Sequence, residues 1–437
     1  MRETDGKIPV GQALPRALAA RVPFYYGWIV LACLCCAGFA RQGPAVATLS
    51  IFIEPLTRDF GWSRTAVSGA VSLGGLLAVL ISPLIGPMLD RRGSRLVLCL
   101  AVLMNGVALL LLSLTPSLLV FYLLYCFARM NWAGPFDLGI YGALNNWFLK
   151  RRTAAASVAN LAQMLGLVAM PLIAQFAILH HGWRAGWVAL GIVTLVVGFV
   201  PVWLLLVRRP EDMGLQPDRA GSATEQPEAA VAFEAEPRFS RRDAIRTPAF
   251  WLLMLYTVMV YPVQAGVSLH QAPHLVERGL DPTTAALIVS SFSLTSVLAT
   301  IACGFLPRRW PIRLPLALAG VMLAAGTWLM QGVASAADGF LAAGLFGAGI
   351  GAVLTLVPVA WADYFGRANY GAIRGLALSA QVLAQAAGPL LSGVLYDLTG
   401  TYTISLYCFV TLSVFSIVAA LAARQPRSAG WIAPGSH

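Results

Sequence analysis

The sequence predicts an all-α membrane protein, twelve transmembrane helices in two pseudo-symmetric six-helix bundles. Three observations carry this. Of the residues, 58% are hydrophobic and 11% charged, too little polar surface to keep a soluble domain dispersed. A dozen apolar runs are each long enough to cross a hydrocarbon layer about 30 Å thick, which takes roughly 20 helical residues. The chain also repeats itself. Residues 61–95 align with 279–313 without a gap, with ten of thirty-five positions identical, including Gly61/Gly279, Gly86/Gly304, Arg91/Arg309 and Arg95/Arg313. The same 218-residue shift places Ala162, Gln163 and Leu165 on Ala380, Gln381 and Leu383, and Pro171 and Leu172 on Pro389 and Leu390. Self-similarity at half the chain length is the pattern of a transporter built from two parallel halves.

The runs fall at 24–52, 62–89, 96–114, 117–148, 153–179, 184–206, 247–275, 282–306, 313–332, 336–363, 371–396 and 402–423. They divide the chain into an N-terminal segment (1–23), a first bundle (24–207), a linker (208–246), a second bundle (247–423) and a tail (424–437). With both termini in the cytoplasm, 24 of the 30 Lys and Arg residues fall on that side, four outside (Arg58, Arg64, Arg184, Arg278) and two, Arg41 and Arg129, inside helices. The positive-inside rule fixes that orientation. The net charge of +11 is therefore a topology signal rather than a nucleic-acid footprint. All seven cysteines lie in apolar runs, where thiols behave as small hydrophobes, so neither a disulfide framework nor a zinc site is expected. Residues 1–23 carry no removable signal peptide by pattern.

The first run opens on FYYGWIV, whose aromatic rings suit the water–lipid boundary. Arg41 lies about 25 Å farther along at 1.5 Å per residue, either snorkelling outward or facing the interior. The second run closes on the turn from Gly86 to Arg95. Gly86 permits close approach of another helix, Asp90 at a helix end can bind backbone amides or an Arg, and Arg91 to Arg95 face the cytoplasm.

The fourth run is the most polar, with Arg129, Asn131, Trp132, Asp137, Asn145 and Asn146. Charges in lipid are expensive, so Arg129 and Asp137 should face protein or a water-filled cavity. Eight residues apart, they lie about 80° apart on a helix and can form a buried ion pair or share a cavity face. His180 and His181 read as an external loop. The linker, rich in Pro, Glu, Ala and Ser, has the composition of a flexible segment.

The seventh run holds Tyr256, Tyr261, Gln264, His270, Gln271 and His274, a polar set that lipid contact would not select. His270 could hold an anion or carry a proton, or sit at the external interface. His270 and His274 have a metal-binding spacing, but Pro273 disturbs the helix and no third ligand accompanies them. In the tenth run Gly344, Gly347, Gly349 and Gly351 allow tight packing, and Asp363 and Tyr364 stand at its inner end. Gln381 and Gln385, one turn apart in the eleventh run, either face a cavity or bond between helices.

The Gly86–Arg95 stretch resembles the best-known signature of the major facilitator superfamily, where it is a cytoplasmic latch between the halves. In the second half Arg308 replaces the Asp and Pro311 the second Gly. NNWFLKRRTAAASVANLAQMLG, HHGWRAGW and RRPEDMGLQPD, with YYGWIV, FGWSR and HQAPHLVERG, resemble bacterial carriers of the monocarboxylate and oxalate–formate antiporter branch. The resemblance implies alternating access, with the first, fourth, seventh and tenth spans lining the pathway. The sequence departs from the branch in its eighth span. Where the branch places a carboxylate-binding Arg, it reads Val297-Leu298-Ala299-Thr300-Ile301.

The expected function is secondary transport of a small organic anion, a carboxylate, by proton coupling or anion exchange. Arg41 and Arg129 are the candidates for recognition, and Asp137 for coupling or for holding Arg129. Tyr261, Gln264 and His270 would orient the substrate, with Gly86, Asp90, Arg91, Gly93 and Arg95 as the cytoplasmic gate. Efflux of amphipathic compounds and a membrane ligand sensor are the alternatives. No catalytic or nucleotide-binding motif is present, and no cofactor or metal is expected. The setting expected is a bacterial inner membrane, with the protein acting as a monomer.

Overall fold

The computed structural model describes residues 13–62, 64–218, 237–307 and 310–426. Residues 219–236 of the expected linker, the ends of both terminal segments, and Arg308 and Arg309 lie outside the described residues. A short helix, α1 (Ala13–Arg21), precedes the bundle. The first half comprises α2 (Gly27–Ala40), α3 (Val46–Phe60), α4 (Arg64–Arg92), α5 (Ser94–Leu112), α6 (Leu118–Ala133), α7 (Pro135–Trp147), α8 (Arg152–Val193) and α9 (Val200–Leu205). After the short α10 (Arg241–Ile245) come α11 (Pro248–Glu277), α12 (Pro282–Gly304), α13 (Arg313–Gln331), α14 (Ala336–Phe365), α15 (Tyr370–Thr399) and α16 (Thr403–Ala422).

These helices make twelve passes. Nine stretches among the described residues are long and apolar enough to cross a membrane. One of them, Arg152–Leu205, is 54 residues long and crosses twice, reversing at Gly182. The reversal needs φ +80°, which glycine adopts without a Cβ penalty. The two remaining passes are broken helices. The first continues to Phe60 rather than ending near 52, and is interrupted at residues 41–45, where Pro44 offers no amide donor. The fourth breaks at Gly134 (φ −110°, ψ −81°), with Pro135 starting α7. Broken helices at membrane depth are tolerated where protein or a cavity surrounds them.

Side chains such as Leu80, Leu84, Leu172, Phe176 and Leu398 are largely exposed, an apolar exterior suited to lipid and unsuited to water. Inside, the buried apolar residues are not evenly shared. One cluster joins both halves, including Tyr26, Trp147 and Phe148 of the first with Phe250, Trp361 and Phe365 of the second. Tyr26 Oη donates to Leu205 O (2.8 Å) and Tyr364 Oη to Ala423 O (2.5 Å), so the members that join the halves lie at the end where the helices of each half begin and finish. At the opposite end the cores are separate. One, with Phe52, Phe121 and Trp187, belongs to the first half, and another, with Leu275, Ile288 and Met330, to the second. The molecule is thus closed at its terminal end and parted at the other.

The halves meet chiefly through α4 against α15 and α8 against α12, with α8 also touching α14 and α7 touching α14 and α15. A Cβ on Gly86 would collide with the carbonyl of Gly371 and come within 3.1 Å of Ala372 Cα. Its repeat mate Gly304 meets Ala154 Cα at 3.5 Å on the same test, and Ala154 is the repeat mate of Ala372. The duplication in sequence is therefore a duplication of contacts.

Candidate functional site

A cavity of about 260 Å³ lies between the halves, lined by α7, α8, α11, α14 and α15 and by the break in the first span. Arg41, Asp137, Tyr261 and Gln264 all line it, so four of the expected site residues come together. Arg374 of α15 lines it as well. Counted on the cytoplasmic side from sequence, Arg374 is 1% exposed and reaches the cavity. Its signal was Gln381. Seven residues are close to two turns, so Arg374 shares the face of a glutamine for which the sequence offers a cavity-facing position as one of two readings.

Asp137 sits between two guanidinium groups, with Oδ1 3.6 Å from Arg41 Nη1 and Oδ2 3.6 Å from Arg374 Nη2. It lies in the first turn of α7, where the partial positive charge of a helix N-terminus favours a carboxylate. Both distances exceed direct hydrogen bonding. Asp137 Oδ2 and the Nε and Nη1 of Arg374 are buried without a hydrogen-bond partner among the described residues. Two cations against one carboxylate leave a formal charge of about +1, and burial raises the value of any anion that neutralises it.

The other bonds of the arginines fix their direction. Arg41 Nε donates to Trp132 O (2.9 Å) and Nη1 to Gln163 Oε1 (2.8 Å). Arg374 Nη2 donates to Gln381 Oε1 (2.7 Å). Gln163 Nε2 donates to Asn160 Oδ1 (3.3 Å), which accepts from Tyr141 Oη at 2.6 Å. Asn160 Nδ2 in turn donates to Leu354 O and Thr355 Oγ1, both at 3.2 Å, carrying the network into the second half. Gln385 Nε2 donates to Gln264 Oε1 (3.1 Å).

Arg129 stands apart. The break at Gly134 separates it from Asp137, and the two form no ion pair. Arg129 packs against Gly74 of α4 and lays its guanidinium over Trp132, 3.8 Å from the ring centroid, while Arg41 approaches the same ring at 4.6 Å. Its Nε and Nη1 are buried without a hydrogen-bond partner among the described residues. Arg129 thus meets the cavity lining through Trp132, whose indole a cation–π attraction would hold in place. His270 lies outside the central cavity, in a separate small pocket with Gln271, His274 and Tyr402. His270 Nε2 meets Pro389 O at 3.3 Å and His274 Nε2 meets Met330 O at 2.9 Å, so both rings are engaged with backbone.

The Gly86–Arg95 turn sits against the start of α15. Asp90 accepts the amides of Gly371 at Oδ1 (2.8 Å) and Ala372 at Oδ2 (2.7 Å), a carboxylate capping the N-terminus of a helix from the other half. Gly93 (φ +86°) has the stem of Arg208 against it, Arg95 Nη2 donates to Trp203 O (2.8 Å), and Arg91 is exposed. Arg209, half-buried beside Arg208 and Arg367, is held below the usual guanidinium range, chiefly by burial and then by those charges. Arg152 pairs with Asp363 across the halves at 2.5 Å, and Arg367, which pairs with Glu211 of the linker at 2.6 Å, also donates across the halves to Asn146 O (3.0 Å), all at the terminal end. The farthest such bond from that end among the described residues is Ser379 Oγ to Val79 O (2.7 Å), at mid-helix.

The Major Facilitator Superfamily profile matches residues 28–336 and 265–435. Human monocarboxylate transporter 11 is 27% identical over 393 residues, covering 87% of this chain and 79% of its own length. The membrane sensor protein UhpC of Salmonella typhimurium is 29% identical over 261 residues, 56% of this chain and 58% of its own. Among solved structures, the proton:xylose symporter XylE superposes with a TM-score of 0.73 at 14% identity, covering 90% of this chain and 95% of XylE. The human organic anion transporter MFSD10 does so at 0.68 and 16% identity, covering 91% and 99%. At such identities the superpositions establish the fold alone.

Proposed function

Because the chain belongs to the major facilitator superfamily, and so is a multi-pass membrane protein, we propose that it is a secondary transporter whose cargo is a small organic anion held through its own carboxylate. One observation carries the reading: Arg41 and Arg374, one from each half, converge on a central cavity that holds a single carboxylate between them. The similarity to human monocarboxylate transporter 11 supports it. Arg374 takes the place of the Arg that the eighth span lacks. Tyr261 and Gln264 orient the bound anion, Arg129 steadies the wall through Trp132, and His270 belongs to a neighbouring pocket rather than to the cargo.

Asp137 serves as the counter-ion of the empty carrier. A substrate carboxylate takes over its guanidinium partners, with a proton or a returning anion completing the cycle. The basic loops at the terminal end support a cytoplasmic side for it; on this reading the gate at Asp90 closes the cytoplasmic face of a bacterial inner membrane and the parted end faces outward. The bundles 24–207 and 247–423 rock about the cavity, joined by the 208–246 linker, and one chain suffices.

Thermal stabilisation of the purified protein by mono- and dicarboxylates, amino acids and hydrophobic cations tests this, because a ligand that binds only the folded form raises its apparent stability. Stabilisation by a carboxylate that is lost in Arg41→Ala and Arg374→Ala is the expected result. A response to hydrophobic cations alone overturns it in favour of efflux. The likeness to UhpC, named a membrane sensor protein, favours a second reading. Carboxylate binding without flux in reconstituted vesicles would select the sensor.

A further inference from the structure

Gln163 and Gln381 hold the same place in the two halves, 218 residues apart. Each accepts from a cavity guanidinium, Gln163 from Arg41 at 2.8 Å and Gln381 from Arg374 at 2.7 Å. The arginines are not repeat mates. Met259 stands 218 residues after Arg41, and Ala156 the same distance before Arg374. What the halves share is the acceptor, while each brings its charge from a different place on its own helices.

That division has a chemical reason. An amide oxygen fixes the direction of a guanidinium and leaves its charge whole, whereas a carboxylate there would bind more strongly and cancel the charge. Both glutamines are 9% exposed, so little water competes for these bonds. Gln163 is itself held by Asn160, and Arg374 retains two buried donors without a partner, Nε and Nη1.

We propose that Gln163 and Gln381 are the paired positioning residues of the anion site. They aim one guanidinium from each half at a single carboxylate and keep both charges available to it. The inference rests on the carboxylate reading above.

The test uses the purified full chain and four variants: Gln163→Leu, Gln163→Glu, Gln381→Leu and Gln381→Glu. Two quantities are measured, the ligand-free melting temperature and the affinity for lactate and benzoate as probes. The Leu variants keep the charge but release the side chain, and should bind the probes about 3- to 10-fold more weakly; the Glu variants cancel the charge and should bind about 30-fold more weakly or worse. Without ligand, the Glu variants should melt at or above the wild type and the Leu variants below it. A glutamine that merely supports the fold would move stability and binding together. Glu variants that bind like the wild type, or that lose melting temperature in step with binding, overturn the proposal. If neither probe stabilises the wild type, the carboxylate reading fails for them, and the ligand-free order still decides this one. Glu above Leu supports the positioning bonds, and the reverse order removes them.

Discussion

Asp137 is the residue on which the site turns, because it alone among the described cavity residues opposes the two guanidinium groups. Removing one partner of a buried ion pair typically costs about 3–5 kcal/mol, and Asp137→Asn leaves two cations exposed to that penalty whenever the cavity is empty. Reorientation of the loaded carrier escapes it. Asp137→Asn should therefore keep exchange of internal for external lactate while net flux falls about 10-fold or more, a loss corresponding to roughly 1.4 kcal/mol or more. Equal loss of both in reconstituted vesicles would deny Asp137 that part. Arg129 and Arg374 should separate as clearly. Arg374→Met should abolish anion stabilisation, while Arg129→Met should lower affinity by no more than about 30-fold, since it touches the cavity only through the indole and a cation–π contact is worth about 0.5–2 kcal/mol. The charges in the first and fourth runs were legible in sequence because lipid makes such residues conspicuous. Arg374 was not, because it stands five residues into a helix that follows a basic loop, where an Arg reads as a topology signal.

Among the elements, the α4–α15 seam is the most exacting. Its backbones meet at Gly86, and the added side chain in Gly86→Val would push α4 off Gly371, a type of overpacking that costs about 1–3 kcal/mol. The expected result is a protein of near-normal yield whose terminal end no longer closes, read as faster amide exchange over residues 370–375. Asp90→Asn should act in the same direction. It replaces two charge-assisted bonds, each worth about 1.5–3 kcal/mol, with at most one neutral bond, because the Asn side chain has one acceptor oxygen and its NH2 group cannot accept from the second backbone amide. A drop in folded protein without any change in local exchange would make the turn a folding element instead. This seam was readable from the Gly86–Arg95 pattern, whereas the breaks at residues 41–45 and at Gly134 were not. Both breaks carry a Gly-Pro pair, Gly43-Pro44 and Gly134-Pro135, inside runs long enough to span as single helices, and only tertiary packing shows that Arg129 and Asp137 have been turned to different surroundings.

For the whole molecule, the shared core at one end and the separate cores at the other define which end must open next. Opening the terminal end has to separate Arg152 from Asp363 and Arg367 from the carbonyl of Asn146 as well as the apolar cluster around Trp147 and Trp361. Charge reversal by Asp363→Arg should lower transport several-fold, and Arg152→Asp in the same chain should restore much of it, a coupling in the usual range of about 0.5–3 kcal/mol for residues in contact. No recovery in the double variant would leave the pair without a role in closure. The duplication announced two halves, but which end they close on is a property of three-dimensional packing that no periodicity carries.

Trp132 gives the site an optical handle. Its indole lies between two cations, and an indole's emission shifts with the local field, so a carboxylate arriving at Arg41 should change its colour and brightness. A chain in which Trp132 alone remains of the twelve tryptophans would report cargo by fluorescence, with no label added and no flux required.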